Sequence, residues 1–294
     1  MGKVMIVEAI KNNIKGIQLS SEDAASAMKE IMSGTATPSQ IAAFLISLSM
    51  KGESVKEITA LAQTMKEFAN KINPVYQDRL VDIVGTGGDK IKTINLSTIS
   101  AFVVATAGVK VAKHGNRAAT GKCGSADVLN RLGYKLDTKP DLVKRCIEEV
   151  GIGFMFAPIF HPAMKNVAPI RRELGVKTFF NMLGPMVNPA FPKNQMVGVF
   201  NLELQRLYGY LYQQTDKNYS IIHSMDGYDE ISLTGQTKII RNQSEVILNP
   251  CDLEVDQIEA SEIFGGDTVE DAAKIFKKVI TGKGTKAKNN VVCA

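Results

Sequence analysis

Two glycine-rich segments are the strongest candidates for chemistry in this sequence of 294 residues. The first reads DIVGTGGD over residues 82–89 and stands between a short apolar run and a helical pattern that starts near residue 95. Backbone N–H groups in such a turn, together with the N-terminus of the following helix, form a site for an anion. Taken alone, the segment is more typical of a plain strand–helix turn, because short glycine motifs have little specificity.

The second segment makes a phosphate site the better interpretation. Residues 113–121 read KHGNRAATG, and KCGSAD follows. Lys113 and Arg117 supply positive charge, the glycines open the main chain to a ligand, and neutral hydrogen-bonding groups come from Asn116, Thr120 and Ser125. Two glycine loops that follow neighbouring strands suit a ligand with two phosphorylated ends. A ribose 5-phosphate that carries a diphosphate is such a ligand.

A pair of adjacent carboxylates, Asp229 and Glu230, stands in the segment DGYDE at residues 226–230. Carboxylate oxygens are ligands that Mg2+ prefers. Ser97, in the first turn of the helix after the first glycine loop, can add a hydroxyl, as the Ser or Thr of a P-loop does. An isolated Asp–Glu pair is more often a solvated acidic turn, so the pair by itself does not establish a metal site.

Two adjacent arginines, Arg171 and Arg172, open the segment RRELG at residues 171–175. A guanidinium can bind a carboxylate with two parallel hydrogen bonds. The alternative is a pair of surface arginines at the end of a helix. We expect that alternative to hold for one of the two.

The first 70 or so residues carry only helical patterns. Ser20 with Asp23 is expected to cap one helix, Thr37 followed by a proline begins the next, and Ser54 with Glu57 forms a capping box for a third. The helix over residues 38–50 is apolar on most faces, so we expect it to need a partner surface.

Strand patterns alternate with helical ones after Pro74. Such alternation indicates a mainly parallel sheet covered by helices on both faces. We expect residues 161–174 to be helical again, disturbed at Pro169, and residues 283–290 to be a mobile polar segment. The predicted strands are residues 80–84, 109–112, 152–156, 195–200 and 219–224.

Bulk composition excludes several classes of protein. The net charge is only +5, and the basic residues are dispersed, which disfavours nucleic-acid binding. No apolar run approaches the ~20 residues that span a bilayer, and the N-terminus predicts an amphipathic helix instead of a signal peptide. No C-x-x-C spacing occurs, so we expect a cytoplasmic protein with four reduced thiols, at Cys123, Cys146, Cys251 and Cys293.

These blocks, in this order, resemble the anthranilate phosphoribosyltransferases. The matching segments are DIVGTGGD with TINLST (82–98), AKHGNRAATGKCGSADVL (112–129), the 154–190 block around RRELG and FNMLGP, and DGYDEIS (226–232). The resemblance extends along nearly the whole chain. It implies an α/β fold of the nucleoside phosphorylase and phosphoribosyltransferase type, in which a small helical N-terminal domain accompanies a larger domain built on a mainly parallel central sheet.

The resemblance also implies a role for particular residues. Mg2+ is expected at Ser97, Asp229 and Glu230, and anthranilate at Gly85, His114, Asn116 and Arg171, with the arginine nearest the carboxylate. For His114 a purely structural role is an equal alternative. Lys113 is expected to act electrostatically. Phosphoribosyl diphosphate is expected to contact Gly85, Gly88, Asp89, Thr93, Asn95, Ser97, Thr98, Lys113, His114, Gly115, Asn116, Arg117, Thr120, Gly121 and Ser125.

The expected reaction displaces diphosphate from the anomeric carbon of the ribose with the amine of anthranilate, in tryptophan biosynthesis. The expected domains are residues 1–73 with 161–188, helical and dimerising, and residues 74–160 with 189–294, binding phosphoribosyl diphosphate. A pyrimidine nucleoside phosphorylase is the nearest rival enzyme, and the Asp229–Glu230 pair and the RRELG block argue against it. A catalytically silent relative that regulates or binds nucleic acid is disfavoured by the dispersed charge.

Three features depart from the family pattern. Lys90 replaces the usual glycine after GGD, and Asn130 stands where a glutamate is usual. Family members also continue past the position of Ala294 with a helical segment.

Overall fold

The computed structural model describes residues 5–87, 93–118 and 123–294. The chain divides into two compact units. The helical unit consists of Met1–Lys71 and Pro158–Pro189, and the sheet unit of Ile72–Ala157 and Ala190–Ala294. Among the described residues, no helix has the length and apolar character that crossing a bilayer requires.

The helices and strands follow one another along the chain in a fixed order. They are α1 (Met5–Ile14), α2 (Ser21–Ser33), α3 (Pro38–Lys51), α4 (Val55–Glu67), β1 (Val81–Gly85), α5 (Leu96–Thr106), β2 (Val111–Gly115), α6 (Ser125–Arg131), α7 (Pro140–Arg145), β3 (Ile152–Phe156), α8 (Ala157–Phe160), α9 (Ala168–Leu174), α10 (Phe180–Leu183), β4 (Asn194–Gly198), α11 (Leu202–Gln213), β5 (Asn218–Ser224), β6 (Thr237–Arg241), β7 (Glu245–Leu248), α12 (Val269–Ile280) and α13 (Lys286–Cys293).

The predicted caps of the first helices are confirmed. The Ser20 hydroxyl accepts a hydrogen bond from the N–H of Asp23 at the start of α2. Complete capping boxes begin α3 at Thr37 and α4 at Ser54. These side chains satisfy N–H groups that lack a partner within the helix, so the local sequence fixes where each helix begins.

The carboxylate of Glu57 connects several parts of the helical unit. It is fully buried, forms an ion pair with Lys51 at the end of α3, and accepts the N–H groups of Leu19 and Ser54, each at 2.8 Å. Burial alone would raise the pKa of this carboxyl group, but the hydrogen bonds from Lys51, Leu19 and Ser54 lower it below the usual value of 4.5. Glu57 therefore folds as a buried anion that joins the α1–α2 connection to α3 and α4.

The sheet has seven strands in the order β3-β2-β1-β4-β5-β6-β7. The first five in this order are parallel to one another. Strand β6 pairs antiparallel with β5, and β7 pairs antiparallel with β6. The fold class predicted from the sequence is confirmed, and all five predicted strands are present. Strands β6 (TKIIR) and β7 (EVIL) were not predicted; both carry charged residues, and β7 forms one edge of the sheet.

One expectation for the local structure of the second glycine segment is wrong. Strand β2 continues through Gly115, so Lys113 and His114 belong to the strand and not to the loop after it. Residues 161–174 form two helical pieces: a 3-10 helix spans Pro162–Asn166, and α9 begins at Ala168 with Pro169 in its first turn, where a proline costs no hydrogen bond, so the expected disturbance lies just before Pro169.

The expectation of a mobile polar segment at residues 283–290 is also wrong. Residues Lys286–Cys293 form α13, which begins with the Thr285 hydroxyl accepting from the N–H of Lys288. Ala287, Val291 and Val292 are buried on one side of this helix. The segment KGTKAKNN contains a single apolar residue that becomes buried, Ala287. The apolar face of the helix is completed by Val291 and Val292, which follow that segment.

Candidate active site

Several of the predicted ligand-binding residues that the structure describes in the sheet unit lie where the strand order reverses. From β1 the chain passes to β2 and β3 on one side, while β4 and β5 lie on the other side. Ligands of open α/β sheets bind at such a reversal, outside the carboxyl ends of the strands. Gly85 is the last residue of β1 and Gly115 the last of β2, so both glycine loops start at this edge.

The segment with the paired carboxylates lies directly on the ends of β1 and β4. A Cβ atom on Gly198 would come within 1.7 Å of the main-chain oxygen of Asp229, and one on Gly85 within 2.5 Å of its Oδ2. Asp229 also accepts a hydrogen bond from the N–H of Gly87, and the N–H of Thr86 donates to the carbonyl of Gly198 at 2.9 Å. The first glycine loop and the carboxylate segment are therefore one packed structure.

Ser224, at the end of β5, fixes the shape of the carboxylate segment. Its buried hydroxyl donates to the main-chain oxygen of Glu230 at 2.5 Å and accepts the N–H of Ser232 at 3.2 Å. The N–H of Ser224 itself donates to the carbonyl of Tyr228 at 3.0 Å. The turn that presents Asp229 and Glu230 is thus held from within the sheet.

The three residues proposed from the sequence as metal ligands share one cavity. Ser97, Asp229 and Glu230 all line a space of about 190 Å³ beside the ends of β1 and β4. Burial raises the pKa of the Asp229 carboxyl group, while the N–H of Gly87 opposes that shift. A nearby cation would offset the cost of burying this charge.

This donor set fits Mg2+ in the way that phosphate-transferring sites use the ion. Within residues 5–87, 93–118 and 123–294, no group of three or more His, Cys, Asp or Glu side chains could hold a metal ion. Mg2+ is usually bound through one or two carboxylates, with waters and substrate phosphates completing its coordination. Two carboxylates and a hydroxyl match that pattern, and they do not match a site built entirely from protein ligands.

Lys113 is a buried ammonium that links three elements. Its Nζ donates to the carbonyl of Ile83 in β1 at 2.6 Å and to the hydroxyl of Ser97 in α5 at 3.4 Å, and the residue is only 3% exposed. Burial lowers its pKa to about 8, and the charges of Asp82 and Glu230 oppose that shift. The cation therefore lies between the first loop, the helix after it and the carboxylates.

Asp82 is a buried carboxylate that the sequence analysis did not single out. Its Oδ1 accepts the N–H of His114 at 3.5 Å, and its Oδ2 accepts Nε2 of Gln195 at 3.2 Å. The hydroxyl of Tyr212 donates in turn to Oε1 of Gln195 at 3.1 Å. A charged residue within the strand pattern VDIVG was the available signal, because a buried charge requires partners.

Asp127 connects the residues on the two sides of the second glycine loop. Its carboxylate accepts the N–H groups of Ala118 at 3.0 Å and Gly124 at 2.9 Å, and pairs with Nη1 of Arg117 at 2.7 Å. Although burial would raise the pKa of this carboxyl group, these partners lower it. The guanidinium of Arg117 also lies over the ring of Phe156, 5.9 Å from its centroid.

Close approaches explain two glycines that flank this loop, Gly115 and Gly124. A Cβ on Gly115 would come within 2.4 Å of the Ser125 hydroxyl, and one on Gly124 within 2.4 Å of the Ala118 nitrogen. Ser125 donates to the main-chain oxygen of Asn116 at 3.3 Å. Asn116, Arg117 and Ser125, which the sequence placed together, are therefore neighbours at the start of α6.

The remaining predicted residues of the sheet unit take different positions. Thr93 pairs with Phe264 in an isolated bridge, and Asn95 donates from Nδ2 to the carbonyl of Cys123 at 3.2 Å. Thr98 is only 1% exposed and faces the interior, whereas Ser97 faces the cavity. Four predicted residues lie outside the described residues, as Lys90 does; they are Gly88, Asp89, Thr120 and Gly121.

His114 is buried in β2, so a role for it beside the ligand and a purely structural role both stay open. The other two histidines were expected to be structural. His161 is 3% exposed, and the Nδ1 atom of His223, which is 5% exposed, lies 2.9 Å from the carbonyl of Val199.

The two arginines of RRELG, which belong to the helical unit, have different environments. Arg171 is half-buried, and its Nη2 donates to Oδ1 of Asn181 at 3.4 Å. Its guanidinium lies over the ring of Phe180, 5.3 Å from the centroid, and burial lowers its pKa. Arg172 is exposed. The expectation that only one of the pair occupies a protected site agrees with this geometry.

Comparison with known protein families first defines a class. Residues 77–294 match the family model described as the α/β domain of a glycosyl transferase family, and residues 7–69 match the helical bundle domain of the same group. The two models cover most of the sheet unit and most of the N-terminal part of the helical unit. The chain is therefore a glycosyltransferase of this type.

Similar proteins define the family more narrowly. The anthranilate phosphoribosyltransferase of Flavobacterium johnsoniae is 50% identical over 94% of this chain and 83% of its own length, and that of Christiangramia forsetii is 50% identical over 98% and 86%. The crystal structure of the Thermus thermophilus enzyme superposes with a TM-score of 0.91 at 38% identity, covering 97% of this chain and 85% of that one. The chain belongs to the anthranilate phosphoribosyltransferase family.

A structure with ligands is also similar. The anthranilate phosphoribosyltransferase of Saccharomyces cerevisiae in complex with PRPP and Mg has a TM-score of 0.90 at 26% identity, over 99% of this chain and 85% of that chain. The family transfers a phosphoribosyl group to anthranilate in tryptophan biosynthesis, and this activity, expected from the sequence, is confirmed.

Proposed function

We propose that the sheet unit binds phosphoribosyl diphosphate with Mg2+ and that Arg171 of the helical unit binds the carboxylate of anthranilate. One observation above all supports the first part. The end of β1, the hydroxyl of Ser97 and the carboxylates of Asp229 and Glu230 line the same cavity, at the reversal of strand order.

The diphosphate is proposed to lie against the first glycine loop. The N–H groups of Thr86 and Gly87 already donate to Gly198 and Asp229, so the donors proposed for its oxygens are the N–H groups of Gly88 and Asp89, where glycine leaves no side chain in the way. The phosphoribosyl part is proposed to lie against the second loop, where Asn116, Arg117 and Ser125 are neighbours. Gly88, Asp89, Thr120 and Gly121 keep their proposed roles in these two loops.

Asp229, Glu230 and the hydroxyl of Ser97 are proposed to hold Mg2+. When bound, the ion neutralises negative charge on the diphosphate, which makes that group a better leaving group. The protein's contribution is to present its oxygens in a fixed arrangement. Ser224 holds the carboxylate segment, and Lys113 donates to the hydroxyl of Ser97.

The reaction joins the amine of anthranilate to the anomeric carbon as diphosphate departs. The aromatic amine is already a nucleophile, so positioning the two substrates matters more than a strong base. Fixed N–H groups and the Lys113 ammonium are proposed to stabilise the negative charge of the leaving group, which is the electrostatic effect that often supplies most of an enzymatic rate enhancement.

The protein is proposed to be a cytoplasmic homodimer that associates through the helical unit. Apolar side chains at the end of α1, in the connection after it and near the end of α3 support this proposal, because Ile14 is 73%, Ile17 50% and Met50 84% exposed. Large exposed apolar groups near one another often mark an interface. Light scattering at micromolar concentration is expected to give twice the monomer mass, and a monomer would contradict the proposal.

The proposed dependence of the reaction on both phosphoribosyl diphosphate and Mg2+ can be tested directly. The fluorescence of anthranilate is followed in the presence of the protein with phosphoribosyl diphosphate and Mg2+ together, and then with each omitted. Anthranilate should be consumed only when both are present. Equal consumption without Mg2+, after treatment with a chelator, would remove the proposed role of Asp229, Glu230 and Ser97.

A further inference from the structure

The contacts of Arg171 point to a second residue involved in recognising anthranilate. The guanidinium is planar and has five N–H donors in a fixed arrangement, of which a carboxylate needs two. In solution the long arginine side chain samples many rotamers, and binding must pay for fixing it. A protein can remove part of that cost by holding the guanidinium in advance.

The carboxamide oxygen of Asn181 is held in place by contacts with Thr178 that do not involve Arg171. Oδ1 of Asn181 accepts the N–H of Thr178 at 3.0 Å, and the N–H of Asn181 donates to the carbonyl of Thr178 at 2.8 Å. Thr178 is 5% exposed. This reciprocal pair sets the orientation of the Asn181 side chain, and the same oxygen accepts Nη2 of Arg171 at 3.4 Å.

A stack of aromatic rings supports the face of the same guanidinium. Phe180, whose ring centroid is 5.3 Å from Cζ of Arg171, stacks on Phe179 with centroids 4.4 Å apart and planes 26° from parallel. Phe179 in turn meets Phe44 of α3 edge-on at 6.3 Å. Phe44 and Phe179 are fully buried, so the support under Arg171 is anchored in the core of the helical unit.

We propose that Asn181 is a positioning residue for anthranilate: its fixed oxygen holds one end of the Arg171 guanidinium over Phe180, so that the other N–H groups meet the carboxylate in a two-pronged geometry. The proposal rests on the proposed function of Arg171. In this proposal, α9 supplies Arg171, which touches the substrate, and α10 supplies Asn181, which acts through Arg171.

The test is a double-mutant cycle with four proteins: the wild type, Asn181→Ala, Arg171→Ala and the double variant. Steady-state kinetics give kcat and the KM of each substrate. Asn181→Ala should raise the anthranilate KM about three-fold to ten-fold, the usual effect of losing one hydrogen bond, and leave kcat and the KM of phosphoribosyl diphosphate within about two-fold of the wild type. In the Arg171→Ala background the same change should have no further effect on the anthranilate KM.

A conservative variant separates positioning from folding. Asn181→Asp keeps an oxygen for the N–H of Thr178 but places a negative charge beside the guanidinium, where it competes with the substrate carboxylate. It should unfold at the temperature of the wild type and raise the anthranilate KM more than Asn181→Ala does. An anthranilate KM equal to that of the wild type would overturn the proposal.

The outcomes of the cycle distinguish this proposal from the one on which it rests. If Arg171→Ala leaves the anthranilate KM unchanged, the proposed role of Arg171 fails. If Arg171→Ala raises that KM but Asn181→Ala acts equally in both backgrounds, Arg171 keeps its role and the positioning role of Asn181 is overturned. A loss of kcat with equal effects on both substrates would mean a structural role for Asn181 and would also overturn it.

Discussion

Gly198 and Asp229 are in such close contact that any side chain on the glycine would occupy the position of the aspartate backbone. The 1.7 Å between a Cβ on Gly198 and the main-chain oxygen of Asp229 is far below any real contact, and the obstructing atoms belong to the backbone. The end of β4 must therefore be a glycine for the carboxylate segment to lie where it does. A residue of the sheet core thus sets the position of a proposed metal ligand.

Gly198→Ala is expected to displace Asp229 and to reduce Mg2+-supported turnover. A misplacement of about 1 Å can cost about a hundred-fold in rate, so kcat/KM for phosphoribosyl diphosphate should fall by that order. Gly209→Ala provides the control, because a Cβ there meets Ile240 at an ordinary 3.7 Å inside α11. That variant should keep full activity, and a Gly198→Ala enzyme with normal activity would contradict the prediction.

Asp229→Ala and Glu230→Ala are each expected to weaken the response to Mg2+ far more than the binding of anthranilate. Even outer-shell partners of a metal are typically worth about 10-fold to 100-fold in affinity, so loss of a ligand should raise the half-saturating Mg2+ concentration by at least about ten-fold. Titrating activity against Mg2+ measures the effect. Asp226→Ala, which changes an exposed carboxylate of the same turn, should behave as the wild type. Wild-type activity of either ligand variant at limiting Mg2+ would remove the assignment.

The strands and loops of the candidate site followed from local patterns, whereas its packing did not. Glycine segments after apolar runs predicted that β1 and β2 each lead into a loop, because strand, turn and helix preferences are local. The contacts of Gly198 with Asp229, and of Asp82 with Gln195, join segments far apart in sequence. Periodicity carries no information about such pairs, although a glycine inside the strand pattern QMVGVF was a hint of close backbone approach.

The polar residues of β2 also show that local patterns do not predict contacts between distant segments. KHG was predicted to belong to the second glycine loop, and a lysine is almost never fully buried without a partner. In the structure the carbonyl of Ile83 accepts from the Lys113 ammonium, and Asp82 accepts the N–H of His114. These partners from β1 make burial possible, so tertiary context decided a boundary that composition alone placed too early.

Glu57→Gln is expected to destabilise the helical unit and to alter its response to acid. Removing one partner of a buried ion pair typically costs about 3–5 kcal/mol, and Lys51 would remain buried without its carboxylate. Because the folded-state pKa of Glu57 is below 4.5, the contribution of the carboxylate is fully present above that value and is lost as the pH falls through the folded pKa.

Urea unfolding at pH 7 and at pH 3–4 measures this difference. The gap in unfolding free energy between wild type and Glu57→Gln should be largest at pH 7 and should shrink in acid. Glu53→Gln is the matched control. Glu53 lies in the short connection between α3 and α4, and among the described hydrogen bonds it contacts only Ser49. A gap that stays constant with pH would show that Glu57 is not the titrating group.

Arg171→Ala is expected to raise the KM of anthranilate while largely sparing that of phosphoribosyl diphosphate. A hydrogen bond to a charged group is worth roughly 1.5–3 kcal/mol, which corresponds to about ten-fold to a hundred-fold in affinity. Arg172→Ala is the internal control: successive side chains on a helix point about 100° apart, and Arg172 is exposed where Arg171 is half-buried. It should change neither KM.

Analogues of anthranilate without the carboxylate give an independent measure of the same contact. Such analogues should lose most of the discrimination between wild type and Arg171→Ala, because the interaction removed by the mutation is already missing from the ligand. A selective anthranilate defect in Arg172→Ala, with none in Arg171→Ala, would move the assignment by one residue. If neither variant showed the defect, His114 near the end of β2 and Asn116 in the loop after it would become the leading candidates for holding the carboxylate, since with Gly85 they are the other expected contacts of anthranilate.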